Sequence, residues 1–174
     1  MDTMILISGG WRSAYALIRW LRTHGGKALA VYVKTSSPRD NDRTRAVASL
    51  RQYVEANYPD RVDWRDALIG TTLPGDAIAH GDAMTLIVSS ALRVPVYSGI
   101  KTVIGSGDWL KGAIKSASTK AEILSPNGTV VDALIELPPS LFSALCVCDV
   151  SPIPCGKCAA CIEIKTAREQ IAKV

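Results

Sequence analysis

All five cysteines of the 174-residue chain, Cys146, Cys148, Cys155, Cys158 and Cys161, are crowded between residues 146 and 161. Three stand at two-residue gaps as Cys155-x2-Cys158-x2-Cys161, a spacing that lets thiolates converge on one soft cation. Tetrahedral zinc asks for a fourth ligand, and Cys146 and Cys148 both qualify, because residues two apart in an extended segment point the same way. Buried structural thiols, a redox pair or an iron–sulfur cluster are the other chemistries such a group allows. Four thiolates leave no open coordination position, so zinc held this way would be structural, fastening the last helix to the body.

The second chemical signal is Ser8-Gly9-Gly10-Trp11-Arg12-Ser13. It follows the short apolar run 4–7 and precedes a helical pattern, where backbone amides and the helix dipole together attract an anion. Glycines let the backbone approach a phosphate closely, and the Ser8 and Ser13 hydroxyls can add hydrogen bonds. The plainer alternative is a Ser-Gly-Gly turn that only joins a strand to a helix.

These residues must be positioned by alternating strands and helices. Residues 4–7 read as a buried parallel strand, and Ala14, Leu17, Ile18 and Leu21 give a helix that stops at His24-Gly25-Gly26. His24 is expected to cap that helix. Strands are predicted at 27–33, 62–64 and 101–106, and helices at 43–57 and from Asp82, the latter with Ala83, Leu86, Ile87 and Ala91 inward. Residues 70–81 read as a Gly/Pro/Thr-rich loop and 107–128 as polar and irregular. Residues 130–137 are apolar but of ambiguous type, and a last helix runs over about 159–173. The implied architecture is α/β, a parallel twisted sheet with helices on both faces and right-handed crossovers. Residues 1–138 would form a nucleotide-binding unit, with a zinc knuckle and carboxyl-terminal helix over 139–174 packed on it.

Composition narrows the class. With 48% hydrophobic and 21% charged residues, the chain is globular rather than disordered, and no apolar run reaches the ~18 residues of a membrane span. Its net charge of +4 is scattered, so nucleic acid is not required as a partner. No secretory segment is legible, which points to a cytoplasmic, reduced setting and away from a disulfide framework. Lys34, Arg39, Arg43 and Arg45 read either as a basic rim or as a solvated face, Trp11 and Trp109 as stacking or packing residues, and His80 as a solvated loop residue or a ligand contact.

Ser8, Gly9, Gly10 and Ser13 match the Ser-Gly-Gly-x-Asp-Ser loop of the N-type ATP pyrophosphatases, with Arg12 standing where that class has Asp. Cys146, Cys155, Gly156, Cys158 and Cys161 match the closing pattern of one family within it, the 7-cyano-7-deazaguanine synthases of the queuosine pathway. The resemblance selects Cys146 as the fourth zinc ligand. Ile104-Gly105-Ser106-Gly107-Asp108 and Thr119-Lys120-Ala121-Glu122-Ile123 resemble further family segments in the same order. The chain departs from the family at Arg12, at 79–83, where the family's arginine is missing, and after Asp108, where Trp109, Leu110 and Lys111 replace acidic and aromatic residues.

The resemblance implies an adenine nucleotide alpha hydrolase-like, Rossmann-like fold and ATP-dependent adenylation of 7-carboxy-7-deazaguanine, followed by amide and nitrile formation. It implies ATP as substrate, with Mg as its companion, and structural Zn. The expected roles are phosphate binding by Ser8, Gly9, Gly10 and Ser13, and catalysis by Arg12, Asp108 and Lys120. The expected partners are a small deazapurine and ATP, with a homodimer allowed and no membrane. The alternative is a noncatalytic nucleotide- or modified-base-binding protein on the same framework; sulfur transfer or adenylation on a nucleic acid is a thinner third.

Overall fold

The computed structural model describes residues 1–34, 40–68, 85, 87–97, 99–105, 109–118, 120–148, 150, 151 and 153–173. Arg39, the loop expected at 70–81 with His80, and Asp108 lie outside them. The strands are β1 (Thr3–Ile7), β2 (Ala28–Lys34), β3 (Val62–Leu68), β4 (Thr102–Ile104) and β5 (Glu122–Leu124). The helices are α1 (Trp11–Thr23), α2 (Asp40–Asn57), α3 (87–93), α4 (Trp109–Ser116), α5 (Val130–Glu136), α6 (Pro139–Ala144) and α7 (Ala159–Ile171).

All five strands are parallel, in the order β3-β2-β1-β4-β5. Period-two alternation sends successive side chains to opposite faces, and each face carries its own cluster. Ile5, Ile7, Ala28, Ala30 and Tyr32 meet α1, α2, α5, α6 and α7 on one side. Met4, Leu29, Val31 and Val103 meet α3 and α4 on the other, through Val88, Leu92, Leu110 and Ala113. The chain is therefore an α/β protein with helices on both faces of a parallel sheet. The expected inner face of α2, Val47, Leu50 and Val54, is buried. Of the inner face expected for α3, Ala83 and Leu86 lie outside the described residues, Ile87 and Ala91 are half-buried, and Val88 and Leu92 are buried.

The irregular reading of 107–128 is corrected, since α4 and β5 both lie there. Leu110 and Ala113, three apart, are fully buried and supply a one-sided stripe too short to register as a period. β5 is a three-residue edge strand with Glu122 and Leu124 exposed, so its apolar content is minimal. Over 130–137 the ambiguity resolves to a helix, opened by a capping box in which Thr129 and Asp132 satisfy each other's backbone N–H groups. His24 caps α1 as expected, donating its backbone N–H to the Trp20 carbonyl at 2.9 Å and stacking on the Trp20 ring.

Leu141, Phe142 and Leu145, which lead into the cysteine segment, are buried in the α1/α2 cluster together with Ile164 and Ala167 of α7. Thus the carboxyl-terminal helices share a core with the sheet. Phe142→Ala should remove about 3–5 kcal/mol of stability and leave a single unfolding transition. Urea titration followed by tryptophan fluorescence and far-UV circular dichroism checks this; separate transitions would show that the helices and the sheet do not unfold together.

Candidate metal centre and phosphate turn

The thiols of Cys148, Cys155, Cys158 and Cys161 converge, with all four sulfurs within 4.8 Å of one another. Cys148 Sγ is 3.8 Å from Cys158 Sγ, and Cys155 Sγ is 4.0 Å from Cys161 Sγ. Zinc–sulfur bonds of about 2.3 Å in a tetrahedron require sulfur–sulfur edges of about 3.8 Å, so the donor set fits zinc in both chemistry and dimension.

The expectation of Cys146 as fourth ligand is corrected: Cys148 takes that place. The physical reason is local. The Cys146 backbone lies against the turn, its N–H donating to the Gly9 carbonyl at 2.9 Å, and its sulfur is not in the converging set. After Cys148 the chain turns back, and the N–H groups of Val150 and Ser151 both point at the Cys148 sulfur, at 3.4 and 3.3 Å. The Cys158 N–H does the same for Cys155 at 3.4 Å, closing a knuckle whose Gly156 has φ +72°. A Cβ at Gly156 would touch nothing within 4 Å, so glycine is suited there by backbone conformation rather than by space.

Electrostatics within the cluster are compatible with a cation. The Val150 N–H, working against the cost of burial and joined by the N–H groups of Cys155 and Ser151, draws the Cys148 thiol down to about 6. At Cys161 the Gly156 N–H favours the thiolate, but burial and the three neighbouring sulfurs outweigh it and push the thiol up to about 11. One thiolate is easily formed and the last is strongly resisted, a conflict that a bound divalent ion removes.

The turn lies at the carboxyl end of β1, where the chain order reverses between β1 and β4, the usual ligand crevice of an open parallel sheet. Gly9 has φ +79°, and a Cβ there would lie 2.9 Å from the Arg43 carbonyl oxygen of α2. Gly10 is the N-cap of α1 and makes no side-chain capping bond to the first-turn amides. Ser13 is buried: its hydroxyl accepts the Ser8 N–H and donates toward the Gly10 carbonyl, each at 3.1 Å. Ser8 Oγ lies 3.1 Å from Ser13 Oγ and accepts the Gly10 N–H at 3.4 Å. Both serines therefore brace the turn from within.

Of the expected catalytic residues, Arg12 belongs to the turn but its guanidinium is engaged elsewhere. Arg12 donates from Nη2 to both Glu163 carboxylate oxygens, at 3.1 and 3.0 Å, and stacks over Trp11, which is buried. Lys120 lies two residues before Glu122, which is level with Thr102 and through it with Thr3, at the amino end of the sheet. The turn follows β1 at the opposite, carboxyl end of the sheet, so Lys120 lies away from it along the strand direction. Asp108 is among the residues not described. Of the basic rim, Arg45 is paired with Asp42. Glu163 was not singled out from sequence, because no local spacing links it to Arg12; Cys148 was visible but outweighed by the family pattern.

Compared with known proteins, the chain matches no family model and no curated protein. Among the described residues, no helix is long and apolar enough to cross a membrane.

The corrected ligand set makes a direct prediction. The full chain should hold one zinc ion; Cys148→Ser should lose it, while Cys146→Ser should keep it. Elemental analysis after gel filtration decides this, and retention by the first variant with loss by the second would restore Cys146 as the ligand.

Proposed function

We propose that the chain binds an adenine nucleotide with its phosphates on the Ser8–Ser13 turn, in an adenine nucleotide alpha hydrolase-like fold braced by structural zinc. The observation that carries this reading is the turn itself: a helix amino terminus without a side-chain cap behind a positive-φ glycine, at the point where strand order reverses. The backbone amides of α1 would bind the anion, with Ser8 and Ser13 holding the loop open to it. A reduced, cytoplasmic setting suits five thiols outside disulfides.

For the reaction, the sequence resemblance favours ATP-dependent activation of a 7-deazaguanine carboxylate. The carboxylate oxygen attacks the α-phosphate, pyrophosphate leaves, and ammonia displaces AMP to give the amide. The amide oxygen then displaces pyrophosphate from a second ATP, and loss of AMP carrying that oxygen, with release of the nitrogen's protons, gives the nitrile. A noncatalytic binder is the second reading, favoured by the Arg12–Glu163 pair and by Lys120 at the opposite sheet edge. Neither reading needs a membrane or nucleic acid.

Gly10→Ala is a fold-neutral test, since the added Cβ would meet only Ser8 Oγ at 3.5 Å and the Cys146 carbonyl oxygen at 3.6 Å, both ordinary contacts. It should weaken ATP affinity about tenfold, or roughly 1.4 kcal/mol, by holding phosphate off the backbone. Calorimetric titration measures this, and unchanged affinity would move the nucleotide elsewhere. Pyrophosphate release that depends on 7-carboxy-7-deazaguanine and ammonium marks the enzyme; ATP binding without it marks the binder. Arg12→Asp should not raise that release, because the new carboxylate would face Glu163.

A further inference from the structure

We infer that metal in the four-thiol cluster sets the affinity of the Ser8–Ser13 turn for nucleotide phosphates, through the Cys146 and Glu163 contacts that join cluster to turn. The inference rests on the nucleotide reading above and adds its regulation. Cys146 precedes the ligand Cys148 by two residues, and its N–H holds the Gly9 carbonyl at 2.9 Å. Glu163 follows the ligand Cys161 by two residues, and its carboxylate takes Arg12 from the first turn of α1. The cluster is thus gripped to the turn from both of its ends.

Among the described residues of the Cys148–Cys155 loop, Val150 and Ile153 are 70% and 75% exposed and add little apolar burial, and the bonds the loop makes include those of the Val150 and Ser151 N–H groups to Cys148 Sγ. α7, by contrast, is anchored in the main core by Ile164 and Ala167. Removing the metal should therefore loosen the knuckle, the first turn of α7 and the two grips they carry, while the rest of α7 stays docked through Ile164 and Ala167. The turn would lose its outer support, and its amides would no longer be held ready for an anion. Linkage makes the effect reciprocal: whatever factor metal adds to nucleotide affinity, nucleotide adds to metal affinity.

The test uses the full chain, zinc-loaded or stripped by a chelator, titrated with ATP. Metal removal should weaken ATP binding about tenfold, and saturating ATP should raise zinc affinity by a similar factor against a competing chelator. In the zinc-loaded state, Glu163→Gln should keep one zinc and weaken ATP binding about threefold, a size suited to an exposed pair. Its sign is diagnostic, because Coulomb's law alone has ATP bind more tightly once a negative charge is removed. ATP affinity equal with and without metal, or as tight or tighter in Glu163→Gln, overturns the inference and leaves the nucleotide reading standing. No ATP binding by the zinc-loaded chain overturns the nucleotide reading and the inference together. If stripping unfolds the chain, the zinc-loaded Glu163→Gln comparison decides alone.

Discussion

At Gly9 three stretches of backbone meet, and no side chain can stand between them. The residue lies two positions beyond the end of β1, its α-carbon faces the Arg43 carbonyl of α2, and its own carbonyl receives the N–H of Cys146. Any Cβ would have to displace helix backbone, at a φ that L-residues rarely adopt. The approach of α1 to α2, the direction in which α1 leaves the sheet and the landing point of the cysteine segment all pass through this one position. The two buried clusters then follow from the pleat of the strands on either side.

The carboxyl-terminal third is held by different means. α5 and α6 have seven and six residues, too short to persist alone. α5 relies on its capping box and on Glu136, which accepts from the Tyr15 hydroxyl at 2.9 Å and pairs with Arg22. Burial and that carboxylate raise the Tyr15 pKa, keeping the phenol a donor. α6 contributes Leu141 and Phe142 to the core. Beyond Leu145 the apolar contribution thins, and the thiol cluster takes over as the means of closing the chain on itself.

What sequence made legible follows the strength of local signals. β1, α1, β2 and α2 were readable because long apolar runs and helical periods leave few alternatives, and the glycine turn was readable because Gly-Gly between strand and helix has a physical meaning. β5 was hidden by its three residues and exposed edge position, and α6 by its Pro-Pro start. The thiol cluster was legible as chemistry but not in its membership, since alternation gives Cys146 and Cys148 the same side; only the return of the chain at Val150 and Ser151 separates them. The Arg12–Glu163 pair spans 151 residues of sequence. No periodicity reports such a contact.

The grip of residues 146–163 on residues 9–12 also orders events in time. A ribosome that has delivered residue 124 has delivered every described strand of the sheet and not one of the thiols. The parallel sheet can begin to assemble on the nascent chain, but the turn after its central strand stays unbraced until the last of these segments emerges and folds back. Contacts of such long separation form slowly, because the loop must close before they are rewarded. A translation product interrupted before residue 163 would thus carry a sheet without a finished turn, so that completion of the proposed nucleotide site reports that synthesis has passed the thiol segment.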